Sequence, residues 1–183
     1  MEKVNFFVES LKNLKTVGAL AVCSPMVAER MTKPVDFSRT TFLVELGGGT
    51  GAITKEILAQ MRPDAELVVF EINPIFAEAL ENLTDPRLTV INDSALKLGG
   101  YLASRDIQKV DYIISTLPIS LMDRETRAKL FEEVINALNP NGRYVQVQYS
   151  LISKKEIKKK FSSVALGFTP FNLPPAFFYI CER

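Results

Sequence analysis

The residues most suited to ligand chemistry are a glycine-rich loop and two acidic side chains, each at the end of an apolar, β-rich segment. The loop is Glu45-Leu46-Gly47-Gly48-Gly49-Thr50-Gly51, and Glu71 and Asp93 follow the next two such segments. Glycines at this spacing let a backbone turn tightly and approach a ligand closely. The helix that follows the loop offers unpaired N–H groups to a carboxylate. Glu71 is placed to accept hydrogen bonds from two ribose hydroxyls, and Asp93 from an adenine amino group.

Taken singly, these features have other interpretations. A glycine-rich loop also serves as a plain turn, and Asn92-Asp93-Ser94 is itself turn-prone. A dinucleotide-binding loop requires Gly-x-Gly-x-x-Gly, whereas Gly47, Gly49 and Gly51 are each two residues apart. The joint pattern, with an acidic residue before the loop and two after it, is more specific than any of its parts.

Alternating strands and helices must position these residues. The pattern predicts strands over about 40–46, 67–70, 88–91, 110–115, 143–150, 163–168 and 176–181. Helices are predicted over about 1–20, 26–31, 123–138 and 154–160, and Asp123 can cap the third of these. Two more are predicted, one from the glycine loop to before Pro63 and one that begins at Pro74. Residues 139–142 are predicted to form a turn. This order implies one α/β domain over 1–183, with 1–32 as an N-terminal helical segment. We expect a mostly parallel seven-stranded sheet with one antiparallel strand near its edge and helices on both faces.

The composition narrows the possible chemistry. The chain has 22 Lys+Arg and 21 Asp+Glu, which disfavours a strongly cationic nucleic-acid binder. It has no histidine, so a Ser-His-Asp triad, a histidine-ligated metal and a histidine base are excluded. Its two cysteines give no zinc spacing, and we expect no metal site. No apolar run is long enough to span a membrane and no signal peptide precedes the first helix, so a cytoplasmic location is expected.

The glycine loop with Glu45, Glu71 and Asp93 resembles motifs I to III of the class I methyltransferases, which have a Rossmann-like fold. The resemblance implies S-adenosylmethionine as the cofactor. It implies that the loop, with Gly47, Gly49 and Thr50, lines the methionine end and that Glu45 holds the amino group through water. It further assigns the ribose to Glu71 beside Ile72, and the adenine to Asp93 with Ser94.

The end of the fourth strand, Ser115-Thr116-Leu117-Pro118-Ile119-Ser120, resembles the Asn/Asp-x-Pro-Tyr/Phe motif of amine-methylating enzymes. The rRNA adenine N6-dimethyltransferases have Asn-Leu-Pro-Tyr there, so that an Asn holds the amine and a ring stacks on the flipped base. This chain has Thr116 in place of the Asn and Ile119 in place of the ring. Both base-directed groups are therefore missing.

The bacterial phospholipid N-methyltransferases resemble the chain over nearly its whole length. They share a Ser-x-Leu-Pro turn with Ser115–Pro118, and a Val-Gly-Ala stretch before a serine-containing turn (17–19 and 24–25 here). They also share a Gln-x-x-Tyr element (146–149) and a Pro-Pro-Ala segment (174–176). Glu71-Ile72-Asn73-Pro74 is similar to both families and does not separate them. This resemblance implies methylation of a lipid amine such as that of phosphatidylethanolamine.

Two segments are suited to a membrane partner. The predicted first helix is amphipathic, with Lys3, Lys12 and Lys15 beside its apolar face. The stretch Lys154–Lys160 carries five lysines against one glutamate. We therefore expect a phospholipid substrate reached from the inner face of a membrane, where the protein is peripheral. The helix could instead dock on its own core, and the lysines could be a solvated face or contact RNA phosphate.

Methyl transfer to an amine requires the neutral amine. In a chain without histidine, the candidate proton acceptors are Tyr149, Asp123 and water. We expect Tyr149 and the turn formed by Ser115, Leu117 and Pro118 to shape the amine pocket, with Ser115 also reaching the cofactor; a packed core ring is the other interpretation of Tyr149. Two further functions stay open, which are an RNA adenine N6-methyltransferase and a non-catalytic module that binds S-adenosylmethionine.

Overall fold

The structure is a computed structural model that describes residues 24–183, so the predicted helix over 1–20 lies outside the described residues. Seven strands form one sheet in the order β3-β2-β1-β4-β5-β7-β6. All neighbours pair in parallel except β7, which is antiparallel to both β5 and β6. The predicted fold class is therefore confirmed. The strands are β1 Phe42–Leu46, β2 Glu66–Phe70, β3 Leu88–Ile91, β4 Val110–Ser115, β5 Leu138–Gln148, β6 Ser163–Thr169 and β7 Ala176–Glu182.

Six α-helices accompany the strands in the described part of the chain: α1 Pro25–Thr32, α2 Ala52–Gln60, α3 Pro74–Glu81, α4 Leu98–Ser104, α5 Arg124–Ala137 and α6 Lys154–Lys160. Short 3₁₀ turns span Ala95–Lys97 and Ile119–Leu121. Asp123 caps α5 as predicted, because its carboxylate accepts from the backbone N–H groups of Glu125 and Thr126. Over residues 24–183, no helix combines the length and the apolar character needed to cross a bilayer.

Two elements differ from the sequence prediction. Residues 139–142 form an irregular stretch inside β5 rather than a free turn, because Leu138 already pairs with Val110 and Arg143 pairs with Tyr112. Helix α4 was not predicted, since Gly99 and Gly100 lower its helix propensity. It is stabilised instead by the buried side chains of Leu98 and Leu102.

The two faces of the sheet carry separate cores. The first core cluster includes Phe70, Leu130 and Tyr144 and lies under α4, α5 and α6. The second core cluster includes Met31, Ile57 and Val147 and lies under α1 and α2. Side chains alternate between these faces along β5. Packing on both faces fixes the sheet rigidly and so fixes the positions of the loops at its edges.

The carboxyl ends of four parallel strands meet at one edge of the sheet. Leu46 at the end of β1 pairs with Phe70 of β2 and with Ser115 of β4, and Phe70 pairs with Ile91 of β3. The chain order reverses between β1 and β4, which is where ligands bind in open α/β sheets. We call this side of the molecule the carboxyl edge.

Candidate functional site

A cavity opens at the carboxyl edge, beyond the ends of β1, β2, β3 and β4. It contains about 990 Å³ of atom-free space when the open solvent at its mouth is included. Most of its wall is apolar. The lining residues are Gly47, Gly49, Phe70, Glu71, Ile72, Asn73, Phe76, Asp93, Ser94, Ala95, Leu96, Thr116, Leu117, Pro118, Met122, Thr126 and Leu130.

The glycine loop forms the floor of this cavity at two positions. Gly47 and Gly49 both line it and both have positive φ, at 85° and 51°. A Cβ on Gly49 would have no neighbouring atom within 4 Å, so this backbone faces open space. The Thr116 hydroxyl donates to the carbonyl of Gly47 at 2.5 Å, which ties the loop to the end of β4. A ligand can therefore approach the loop backbone directly.

Glu71 holds a fixed carboxylate on the cavity wall. Its Oε2 accepts from the N–H of Gly49 at 2.8 Å, and its Oε1 accepts from the N–H of Asn73 at 2.8 Å. The backbone carbonyl of Glu71 accepts from the Asn92 side chain at 2.8 Å. Each carboxylate oxygen has further acceptor capacity, so Glu71 can accept hydrogen bonds from two neighbouring hydroxyls.

Glu45 lies behind the loop and is not part of the cavity wall. Its side chain is fully buried; Oε2 accepts from the Thr54 hydroxyl at 2.7 Å, and Oε1 has no partner. Burial, reinforced by the nearby charge of Glu71 and opposed by the Thr54 bond, raises the pKa of Glu45 to about 8. Burying a carboxylate oxygen without a hydrogen bond costs free energy. Residues 24–183 supply no donor to this oxygen, so a bound ligand or water could supply one.

Asp93, Ser94 and Ile72 also line the cavity, on the side of β2 and β3. Asp93 is exposed, and its Oδ1 accepts from the N–H of Ser94 at 2.6 Å. The Ser94 side chain accepts from the N–H of Leu96 and so begins the 3₁₀ turn. Asp93 and Ser94 therefore form a turn, as one interpretation predicted, and they also line the cavity.

Three predicted loop residues lie away from the cavity wall. Gly48 packs on the core, and a Cβ there would lie 2.6 Å from side-chain atoms of both Leu80 and Val69. Thr50 is exposed, and Gly51 is the residue from which α2 begins. The loop therefore alternates between ligand-facing and core-facing glycines.

The turn after β4 contributes Leu117 and Pro118 to the cavity wall, whereas Ser115 does not reach it. Ser115 is fully buried, and its Oγ accepts from the N–H of Leu117 at 3.3 Å. The expectation that Ser115 touches the ligands is therefore not met by its position. The residue supports the turn from below because it is still part of the paired strand.

Two buried glutamines of β5 hold this turn. Gln146 and Gln148 both donate from Nε2 to the carbonyl oxygen of Leu117, at 3.1 and 2.9 Å. The N–H of Ser120 donates to Oε1 of Gln148 at 3.4 Å, and the Tyr144 hydroxyl donates to Oε1 of Gln146. The pair accounts for the Gln-x-Gln spacing on β5, since residues two apart share one face of a strand.

The structure brings neither side chain predicted as a proton acceptor to the cavity wall. Tyr149 packs against the second core cluster, because strand alternation turns it to the face opposite Gln148. Asp123 is exposed and caps α5. Among the residues that line the cavity, Glu71 and Asp93 are the titratable side chains. Within residues 24–183, no group of three or more metal-ligating side chains is present.

Several wall residues escaped the sequence analysis. They are mostly apolar and lie in the helices and turns that follow the strand ends, or directly beside them: Asn73, Phe76, Leu96, Met122, Thr126 and Leu130. A signal existed for Thr126 and Leu130, which are four residues apart on α5 and so share one helix face. Phe76 lies in the first turn of α3, five residues after Glu71.

The cavity fits S-adenosylmethionine on three observations. Gly49 leaves open space at the loop, Glu71 presents two acceptor oxygens beside it, and Glu45 holds an unpartnered oxygen behind it. Glu71 can accept hydrogen bonds from two ribose hydroxyls, and the unpartnered oxygen of Glu45 can accept from a donor that reaches it through the loop. Asp93 and Ile72 line the same cavity, and their contact with the adenine stays a prediction.

Comparisons with known proteins agree with this fit. Residues 9–168 match the family described as the O-methyltransferase domain. The chain is 30% identical to an ornithine lipid N-methyltransferase of Singulisphaera acidiphila, over 97% of this chain and 94% of that protein. It is 25% identical to ribosomal RNA small subunit methyltransferase A of Thermotoga neapolitana, over 58% of this chain and 38% of that protein.

A solved structure shares the fold over almost the whole chain. It is the 1,6-didemethyltoxoflavin-N1-methyltransferase of Burkholderia thailandensis, which contains bound S-adenosylhomocysteine. The TM-score is 0.72 at 12% identity, over 98% of this chain and 86% of that chain. The predicted cofactor and enzyme class are confirmed. The chain belongs to the O-methyltransferase domain family of S-adenosylmethionine-dependent methyltransferases, and it is similar over nearly its whole length to a lipid N-methyltransferase.

Proposed function

We propose that the protein transfers a methyl group from S-adenosylmethionine to the amine nitrogen of a membrane lipid, phosphatidylethanolamine being the candidate substrate. The observation that carries this proposal is the similarity to a lipid N-methyltransferase over 97% of the chain. The apolar half of the cavity, formed by Leu117, Pro118, Met122 and Leu130, supports it. Such a wall accommodates a neutral alkylamine better than a polar nucleobase edge.

The apolar wall also supports an account of how the amine becomes reactive. Bound S-adenosylmethionine supplies a methyl group that its sulfonium makes electrophilic. The amine must attack as the neutral base, and burial against apolar side chains disfavours its protonated form. Because neither Tyr149 nor Asp123 lines the cavity, water at the open mouth is the proton acceptor in this account. The protein then contributes mainly by orienting the amine.

The turn held by the two glutamines orients this amine pocket. The Leu117 carbonyl accepts from the side chains of Gln146 and Gln148, and also from the backbone N–H of Ile119 at 2.8 Å. The turn is thereby fixed relative to β5, and Leu117 and Pro118 keep their place in the wall. A 1 Å displacement of a positioning group can slow a reaction by about 100-fold, so the glutamines are expected to matter for turnover.

The test is methyl transfer from labelled S-adenosylmethionine to lipids that differ only in head group. Phosphatidylethanolamine and an ornithine lipid offer an amine, and phosphatidylglycerol is the control without one. Label in an amine-bearing lipid, absent from phosphatidylglycerol, would support the proposal. If no lipid is labelled while the purified protein binds the cofactor tightly, a non-catalytic binding module becomes the better description.

An RNA substrate is the second candidate, because the chain is also similar to part of an rRNA methyltransferase. The position of Ile119 disfavours it. Ile119 replaces the stacking aromatic ring and is fully buried in the first core cluster. It therefore offers no surface on which a flipped base could stack. Methyl transfer to rRNA without transfer to lipid would favour this candidate.

We also propose that the protein acts as one catalytic domain at the inner face of an anionic membrane, through residues 1–20 and Lys154–Lys160. The buried Ile157 anchors α6, and Glu156 pairs with Arg127 at 2.7 Å, while Lys155 and Lys158–Lys160 are exposed. Each lysine near an anionic surface contributes about 1 kcal/mol. Flotation with anionic and neutral vesicles tests this, with lysine-to-glutamine variants of α6 expected to lose the preference for anionic lipid.

A further inference from the structure

Four large apolar side chains project into solvent from three loops at the carboxyl edge. Their exposed fractions are 69% for Leu121, 80% for Ile152, 76% for Phe171 and 90% for Leu173. Single exposed apolar residues are ordinary on protein surfaces, whereas a group of them on one side marks a binding surface. We call these four residues the apolar rim.

Strand register places the three loops of the apolar rim side by side. Ser115 at the end of β4 pairs with Gln146, and near the end of β5 Gln148 pairs with Phe177 at the start of β7. Thr169 at the end of β6 pairs with Ala176. The loops that follow β4, follow β5 and join β6 to β7 therefore leave the sheet at the same edge.

The apolar rim adjoins the cavity wall at Leu121, and its other three residues lie on the same edge of the sheet. Leu121 lies between Pro118 and Met122, which both line the cavity. The loop that carries Leu121 is tied to β5 by the bond from the Ser120 N–H to Gln148, and Ile152 is four residues beyond Gln148. A surface that rests on the carboxyl edge and contacts the apolar rim would therefore also face the cavity.

Cationic side chains flank the apolar rim. Ile152 lies two residues before α6, which has five lysines and one glutamate. Arg124 and Lys155 line the same surface depression between α5 and α6. Asp123 and Glu125 are nearby acids, so the positive charge is concentrated on the α6 side. An apolar rim next to basic residues is complementary to a bilayer with anionic head groups, because the apolar side chains can enter the bilayer while the basic ones pair with the head groups.

We propose that the apolar rim inserts into a phospholipid bilayer and seats the cavity mouth on the membrane surface, so that a lipid head group enters the cavity while its acyl chains stay in the bilayer. This inference rests on the proposed lipid substrate. It goes further by assigning the contact to Leu121, Ile152, Phe171 and Leu173. The occupant is a bilayer rather than another protein, because the apolar rim lies beside the cationic helix α6 and because a bilayer also supplies the proposed lipid amine.

The test compares a triple variant, Ile152→Ser with Phe171→Ser and Leu173→Ser, with the wild type in vesicle binding and in two activity assays. Leu166→Ser is the control, since Leu166 is exposed on β6 away from the carboxyl edge. Losing one buried aliphatic or aromatic side chain weakens partitioning by about tenfold or more. We expect the triple variant to bind vesicles at least about 100-fold more weakly and Leu166→Ser to bind normally. Activity on vesicle lipid should fall in parallel, while activity on a monomeric short-chain phosphatidylethanolamine should not change.

The other outcomes overturn the inference, and they are distinguishable from failure of the proposed function. Unchanged vesicle binding by the triple variant would show that the apolar rim does not contact the bilayer. If the same variant instead lost thermal stability, the apolar rim would be assigned to packing within this chain. If it changed its oligomeric state, the rim would be assigned to contact with a second copy. Failure of the wild type to methylate the short-chain lipid would instead overturn the proposed function itself.

Discussion

The N–H of Gly49 donates to Oε2 of Glu71 at 2.8 Å, which joins the loop after β1 to the carboxylate after β2. The two residues lie 22 positions apart in the chain and meet because β1 and β2 end at the same edge of the sheet. This bond fixes the carboxylate beside the loop before any ligand arrives. Such preorganisation reduces the entropy lost on binding.

Replacing Glu71 with glutamine should weaken cofactor binding while leaving the fold intact. A glutamine side chain has one acceptor oxygen, so it cannot accept from both Gly49 and Asn73 as the carboxylate does. Hydrogen bonds to charged groups contribute about 1.5–3 kcal/mol, which corresponds to a roughly 10- to 150-fold rise in the dissociation constant for S-adenosylhomocysteine. Calorimetry measures this directly. Glu78→Gln on the exposed side of α3 is the control, and equal affinities for Glu71→Gln and wild type would contradict this role.

Alanine at Gly48 should mainly lower the stability of the fold, whereas alanine at Gly49 should mainly weaken cofactor binding. A Cβ on Gly48 would lie 2.6 Å from Leu80 and Val69, so Gly48→Ala should destabilise the fold by about 1–3 kcal/mol through overpacking. A Cβ on Gly49 meets no atom within 4 Å but enters the cavity, where φ is 51°. Gly49→Ala should cost about 1–2 kcal/mol of backbone strain and raise the cofactor dissociation constant by about tenfold or more.

Urea unfolding and calorimetry on both variants separate these effects. The expected pattern is that cofactor affinity falls more for Gly49→Ala than for Gly48→Ala. A larger loss of cofactor affinity for Gly48→Ala than for Gly49→Ala would mean that Gly48, and not Gly49, faces the cofactor.

Replacing Gln148 with methionine should reduce turnover without changing cofactor binding. The substitution keeps the side-chain volume but removes one of the two glutamine donors to the Leu117 carbonyl, and it removes the acceptor for the Ser120 N–H. The turn should then be less fixed, and kcat on lipid should fall by about tenfold or more because orientation is lost. Gln60→Met, at an exposed position on α2, is the matched control. A normal kcat for Gln148→Met would remove the glutamine pair from the account.

The free energy of unfolding without cofactor should fall as the pH rises from about 4.5 to about 8, because the folded protein keeps a proton on Glu45 that the unfolded chain releases. Burial raises the pKa of Glu45 from 4.5 to about 8 in the folded protein. The unfolded chain therefore releases this proton first as the pH rises, and the stabilisation present at low pH is lost across this interval. Glu45→Gln should remove this component. Urea unfolding of both proteins across the interval checks it, and parallel pH profiles would show that Glu45 is not the group responsible.

The sequence predicted the positions of the strand ends but not which side chains turn toward the cavity. Glu71 and Asp93 could be placed because apolar strands followed by acidic residues define the carboxyl edge of a parallel sheet. The division of the loop between ligand-facing Gly49 and core-facing Gly48 depends on Leu80 of α3, which packs beneath it. No local pattern in the loop contains that tertiary contact.

Tyr149 illustrates a prediction in which two arguments disagreed. Alternation along the fifth strand put Tyr149 on the same face as Val145 and Val147, and the structure confirms that face as the second core cluster. The cavity lies on the side of the first core cluster, with Phe70 and Leu130 in its wall. The expectation that Tyr149 shapes the amine pocket rests on its place at the end of the fifth strand in a chain without histidine, whereas the alternation of side chains along that strand points it to the opposite face.

The most direct measurement of the central claim is the transfer of labelled methyl groups from S-adenosylmethionine to total lipid and, in parallel, to total RNA. We predict label in the lipid fraction, in a molecule with an amine head group, and none in RNA. The Glu71→Gln variant should need a higher cofactor concentration to reach the same rate. Label in RNA alone, or in neither fraction from protein that binds the cofactor, would contradict the assignment of a lipid amine as the acceptor.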